Sequence, residues 1–153
     1  MAEPSITWYS DNMHQTEAIG ESVGRTVGPC VIALTGDLGA GKTAFVRGLA
    51  RGLGFSGAVS SPTFAIVHEY EGGRLPLYHF DMYRVGGWED LESTGFFDAL
   101  RLQAVLAVEW SENVENALPE RRIAVDLRRG KGENERIVTL TAMGGMKLED
   151  TGA

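Results

Sequence analysis

The chain has 153 residues, 43% hydrophobic and 23% charged, a balance that fits one globular domain and excludes a disordered or fibrous chain. Its formal charge of −7, from 21 acidic and 14 basic residues, excludes a protein that grips nucleic acid or an anionic membrane by bulk charge. Glycine is abundant, with 20 residues, about 13% against a usual ~7%.

From the N-terminus, Ser5 to Tyr9 reads as a short edge strand. Asp11 or Asn12 can cap a helix running to about Val27, with Ala18, Ile19, Val23 and Val27 as its apolar stripe. Val31 to Thr35 is a continuous apolar run of strand length, the pattern of a strand buried on both faces. A glycine-rich turn follows, then a helix from about Lys42 to Leu53, ended by Gly54. Phe64 to Tyr70 and Leu75 to Tyr83 are strand-like and joined by Glu71 to Arg74, a hairpin connection. Leu91 to Leu100 reads as one helix, and Ala104 to Val108 as a second fully buried strand. Arg122 to Leu127 and Arg136 to Thr141 form a terminal hairpin. The expected fold class is α/β: a single domain over 1–143, its mixed parallel and antiparallel sheet flanked by helices. Residues 144–153, polar and glycine-rich, are expected as a frayed tail.

The net charge is localised. Between Gly86 and Glu120 stand Glu89, Asp90, Glu92, Asp98, Glu109, Glu112, Glu115 and Glu120 against the single base Arg101. That stretch reads either as solvated helix and loop surface or as an acidic face for a basic partner. Cys30 is the only cysteine, so no internal disulfide forms, and its apolar neighbours suit an inert buried thiol. The first residues lack the basic and apolar regions of a signal peptide, and no apolar run approaches membrane-spanning length. The expected localisation is cytoplasmic, with no membrane partner.

Gly36-Asp-Leu-Gly-Ala-Gly41-Lys42-Thr43 fits G-x-x-x-x-G-K-[ST] at every fixed position, after a buried strand and before a helix. Glycines let the backbone turn so that successive N–H groups, through Asp37, Leu38, Gly39, Ala40 and Gly41, point at phosphate oxygens. The helix beginning near Lys42 adds its positive end. Lys42 would neutralise the β- and γ-phosphates, and the Thr43 hydroxyl would bind Mg²⁺. Such a loop also needs a carboxylate for the metal's shell and a group to align attacking water. Asp81 and Glu109 both end apolar strands; Glu109 closes the cleaner buried run and is the favoured metal-side acid, with Asp81 orienting the water. Thr63, in Ser61-Pro62-Thr63-Phe64, is either a γ-phosphate sensor or a residue of an ordinary loop. Arg84 could stabilise transferring phosphoryl charge, Trp110 could stack on a partner or nucleotide, and the histidines have no metal-ligand spacing.

Together the P-loop, Ser-Pro-Thr-Phe, His79-Phe-Asp81-Met-Tyr83-Arg84 and Val108-Glu109-Trp110, in that order, resemble the TsaE (YjeE) family. The family's members are small bacterial ATPases needed for making threonylcarbamoyladenosine (t6A) on tRNA. The resemblance implies ATP and Mg²⁺ as cofactors and slow intrinsic hydrolysis. It also implies TsaD and TsaB as protein partners, with tRNA reached only through them. It makes Thr63 the switch-loop threonine, Asp81 the second acid, Glu109 the metal-side acid and Gly132 part of a C-terminal nucleotide contact, with an N-terminal contact near Asp11 to Met13. Two other readings compete: a stand-alone P-loop kinase of a small molecule, and a nucleotide-gated binding module. A kinase usually carries a lid with arginines; Arg121-Arg122 and Arg128-Arg129 flank a terminal strand instead.

Overall fold

A computed structural model describes residues 3–37, 39–59 and 66–153. The two all-apolar runs become its centre: β2 (Cys30–Thr35) lies parallel to β5 (Val105–Glu109), every residue of which is buried. Runs without polar alternation tolerate only a position covered on both faces. β6 (Arg122–Arg129) runs parallel to β2 on its other side, and β4 (Leu77–Asp81) parallel to β5. The remaining strands are antiparallel: β3 (Val67–Tyr70) on β4, β7 (Arg136–Met143) on β6, and β1 (Ser5–Ser10) on β7. The order β1-β7-β6-β2-β5-β4-β3 is the mixed sheet that the strand–turn–helix pattern implied. Glu71 to Arg74 do not close the β3–β4 connection by themselves, because β4 begins only at Leu77. The proposed strand start at Phe64 lies outside the described residues.

One face of the sheet carries α1 (Met13–Thr26) and α2 (Lys42–Gly52). Asn12 caps α1, its Oδ1 accepting from the Gln15 N–H at 2.9 Å. The two helices meet through glycine. A Cβ at Gly48 would fall 1.8 Å from the Glu17 carbonyl oxygen, and one at Gly20 2.1 Å from that of Phe45. Part of the glycine excess therefore buys close helix packing rather than turns. Beside this contact the buried Glu17 carboxylate accepts from Arg47 at 2.8 Å and Arg51 at 3.4 Å.

The other face is covered by shorter pieces. The single helix expected over Leu91 to Leu100 is instead α3 (Trp88–Ser93) and α4 (Phe96–Ala99). Gly95 between them has φ +82°, a left-handed conformation that ends one helix and starts the next. Phe96 then packs edge-on against Phe80 of β4, ring centroids 5.4 Å apart. Of the eight acids in this region seven are exposed; Glu109 alone is buried. Residues 144–153 differ from the expected frayed tail: Leu148–Thr151 forms a 3-10 turn, and Met146 and Thr151 are buried. Among the described residues no helix is long and apolar enough to cross a membrane.

Candidate active site

The turn between β2 and α2 is where the loop motif falls. Gly41, immediately before α2, has φ +105°, a conformation open to glycine, and the Ala40 N–H closes the turn onto the Asp37 carbonyl at 3.0 Å. Gly39, like Gly41, has positive φ; Leu38 lies outside the described residues. Lys42 is the first residue of α2 and only 5% exposed. Its ammonium donates to the Gly36 carbonyl and to that of Asp37 at 3.3 Å, and sits 4.1 Å from the centre of the Trp110 ring. Among the described residues no carboxylate lies within ion-pair distance of it.

Parallel pairing supplies the opposite wall. Asp81 and Glu109 are register partners at the ends of β4 and β5, so two carboxylates from distant segments share one sheet edge. The Glu109 carboxylate is buried; its Oε2 accepts from the Thr43 hydroxyl at 3.5 Å and from His79 Nε2. Asp81 is half-buried, and its Oδ1 accepts from the Tyr83 N–H at 2.9 Å. Tyr83 in turn packs on Trp110, ring centroids 4.9 Å apart. Trp110 holds φ +57°, which ends β5 abruptly and sends the chain into the 3-10 segment Ser111–Ala117. A cavity of about 610 Å³ opens between the walls, lined by Lys42, Thr43, Asp81, Arg84, Glu109 and Trp110 among others.

The sequence-derived set thus divides. Lys42, Thr43, Gly39, Gly41, Asp81 and Glu109 line one cavity. Asp37 and Ala40 form the turn beneath it. Gly132 stands in the β6–β7 connection and does not line the cavity; four residues on, Arg136 donates to the Gly39 carbonyl at 3.1 Å. Thr63 lies outside the described residues. Among the described residues no three His, Cys, Asp or Glu side chains converge. A cation here would complete its shell with phosphate and water oxygens, as Mg²⁺ does.

Residues 10–138 match the family model described as Threonylcarbamoyl adenosine biosynthesis protein TsaE. The chain belongs to the TsaE family. A curated TsaE relative, the tRNA threonylcarbamoyladenosine biosynthesis protein of Bacillus subtilis (strain 168), is 41% identical over 140 residues, covering 91% of this chain and 87% of that one. The TsaE of Treponema pallidum (strain Nichols) is 41% identical over 120 residues, 78% of this chain and 88% of its own. The crystal structure of Bacillus subtilis YdiB superposes with a TM-score of 0.81 at 37% identity, covering 94% of this chain and 89% of that one. This TsaE-family chain therefore shares its α/β fold with a solved structure across nearly its whole length.

Neither the His79–Glu109 bond nor the Arg136–Gly39 contact follows from spacing along the chain. The signal for His79 was strand alternation: Leu77, His79 and Asp81 share one face of β4, and Val105, Ala107 and Glu109 the adjoining face of β5. Cys30, expected as an inert buried thiol, is half-buried, and burial pushes its thiol up to about 12, against a weaker downward pull from Arg121.

Proposed function

We propose that this chain binds ATP with Mg²⁺, hydrolyses it slowly by itself, and by that cycle supports a TsaD–TsaB complex in the t6A modification of tRNA. The reading rests most on one observation: Lys42, Thr43, Asp81 and Glu109 converge on a single cavity at the carboxyl ends of β2, β4 and β5. The donor set suits the cofactors. The Thr43 hydroxyl and the Glu109 carboxylate are hard oxygen ligands of the type Mg²⁺ takes, 3.5 Å apart. Among the described residues the Lys42 ammonium donates only to carbonyls, hydrogen bonds it can exchange for phosphate oxygens. When bound, Mg²⁺ supplies neutralisation of the charge developing on the β- and γ-phosphates.

The chain's own work follows from its geometry. Loop N–H groups and the start of α2 hold the phosphates, and Lys42 compensates their charge. Asp81, the register partner of Glu109 and a lining residue of the cavity, would orient the attacking water. The −7 charge accords with a protein that meets tRNA through its partners, in the cytoplasm, and not by its own surface. The test is ATP turnover by the purified protein, with and without purified TsaD–TsaB. Slow Mg²⁺-dependent release of free phosphate, accelerated by the partners, is expected. Partners that neither bind nor stimulate overturn the reading, and phosphate appearing on an added metabolite replaces it with a kinase.

A further inference from the structure

His79 has no exposed surface, and the roles above leave it unused. It is the polar interruption of an otherwise apolar stretch of β4, on the face that Leu77, Val105 and Ala107 share with the helical core of α1 and α2. Burying an imidazole there costs free energy unless its nitrogens are hydrogen-bonded. Only one is: Nε2 bonds to Glu109 Oε2, whereas Nδ1 has no partner among the described residues. A leucine would fill the space without that penalty. The imidazole is therefore explained by what it holds and not by packing.

What it holds is the acid facing Thr43. A glutamate at a strand end has three side-chain torsions, and burial alone does not choose among its rotamers. The same Oε2 meets the Nε2–H of His79 on one side and the Thr43 hydroxyl on the other, so the carboxylate is spanned between β4 and the first turn of α2. The register partners of His79 are Ala107 on β5 and His68 on β3.

We propose that His79 is a positioning residue for Glu109: its Nε2–H fixes the carboxylate in the orientation that serves the Mg²⁺ shell. This inference rests on the Mg²⁺-dependent reading given above. Loss of such outer partners typically weakens metal binding ~10–100-fold.

The experiment measures binding of fluorescent ADP in EDTA and across a Mg²⁺ titration, for the wild type, His79→Leu and His79→Gln. In His79→Leu the Mg²⁺ concentration for half-maximal effect should rise about tenfold or more. The EDTA affinity should stay unchanged, and His79→Gln, whose amide can still donate, should recover most of the loss. A His79→Leu midpoint within about twofold of a responsive wild type overturns the role of His79 and leaves the ATPase reading intact. An equal loss in EDTA also overturns it, because that is packing damage. A wild type that binds ADP with no response to Mg²⁺ overturns both readings. If the variants do not fold, ¹⁵N spectra of the wild-type imidazoles decide. A protonated Nε2 on His79 that shifts as Mg²⁺ and ADP are added is expected; a proton on Nδ1 instead, or no shift, overturns the proposal.

Discussion

The two walls of the cavity are made by different means. The β2–α2 turn is one contiguous run, and its shape is a backbone property: positive φ at Gly39 and Gly41, and a turn closed by main-chain hydrogen bonding. The strand-end wall is a side-chain property of residues from separate segments, joined by the register Asp81↔Glu109 and steadied by His79. The first wall depends on where α2 docks. The second depends on the hydrogen bonds that one carboxylate keeps. They should therefore fail separately.

The largest expected effect lies behind the first wall. Gly48→Ala places a methyl group 1.8 Å from a backbone oxygen of α1, and no side-chain rotation relieves that clash. The helices must part, at an expected cost above about 3 kcal/mol, beyond ordinary overpacking because the obstacle is main chain. Urea unfolding followed by circular dichroism measures it. A loss below ~1 kcal/mol would show that α1 and α2 slide freely and that the loop is not set by their contact.

Next comes the contrast between the walls themselves. Lys42→Ala removes charge-assisted hydrogen bonds worth roughly 1.5–3 kcal/mol, so nucleotide affinity should fall about ten- to a hundredfold, with or without Mg²⁺. Glu109→Gln should leave EDTA-measured binding within about threefold of wild type and remove the Mg²⁺-dependent turnover. Calorimetric titration in both conditions checks the pair. Equal losses in EDTA for both variants would erase the distinction between a backbone-built and a side-chain-built wall.

That distinction also explains what the sequence made legible. The loop was readable because its residues are adjacent and each type has a backbone reason to be there. β2 and β5 were readable because apolar runs without alternation fit only a sheet centre. The pairing of Asp81 with Glu109 was readable only as two acids at strand ends, since adjacency needs the register. Spacing along the chain does not reveal His79, because its partner Glu109 lies across a strand pair. The split at Gly95 escaped because the apolar pattern from Leu91 to Leu100 continues through the glycine, and the pattern does not report backbone φ. The packing of residues 144–153 is not legible because a polar, glycine-rich composition does not reveal that Met146 and Thr151 find buried places.

The smallest expected effect tests whether the α1–α2 contact is held by shape or also by charge. Burial works to raise the Glu17 carboxyl, but the Arg47 and Arg51 guanidiniums outweigh it and hold the group below the ordinary glutamate range. A carboxyl depressed in the folded state contributes stability above its unfolded value of about 4.3, and that contribution is lost as the pH falls below it. Because Arg47 and Arg51 are 35% and 49% exposed, solvent screens the pair, and about 1 kcal/mol is the most it should supply. The wild type should therefore lose its advantage over Glu17→Gln as urea midpoints are followed from pH 7 to pH 3, and added salt should shrink the difference at pH 7. The Gly48 contact has no charge to titrate or screen. A wild-type advantage that persists unchanged to pH 3 would mean that the Glu17 charge contributes nothing to the docking of α2, because a depressed carboxyl must lose its contribution as it protonates.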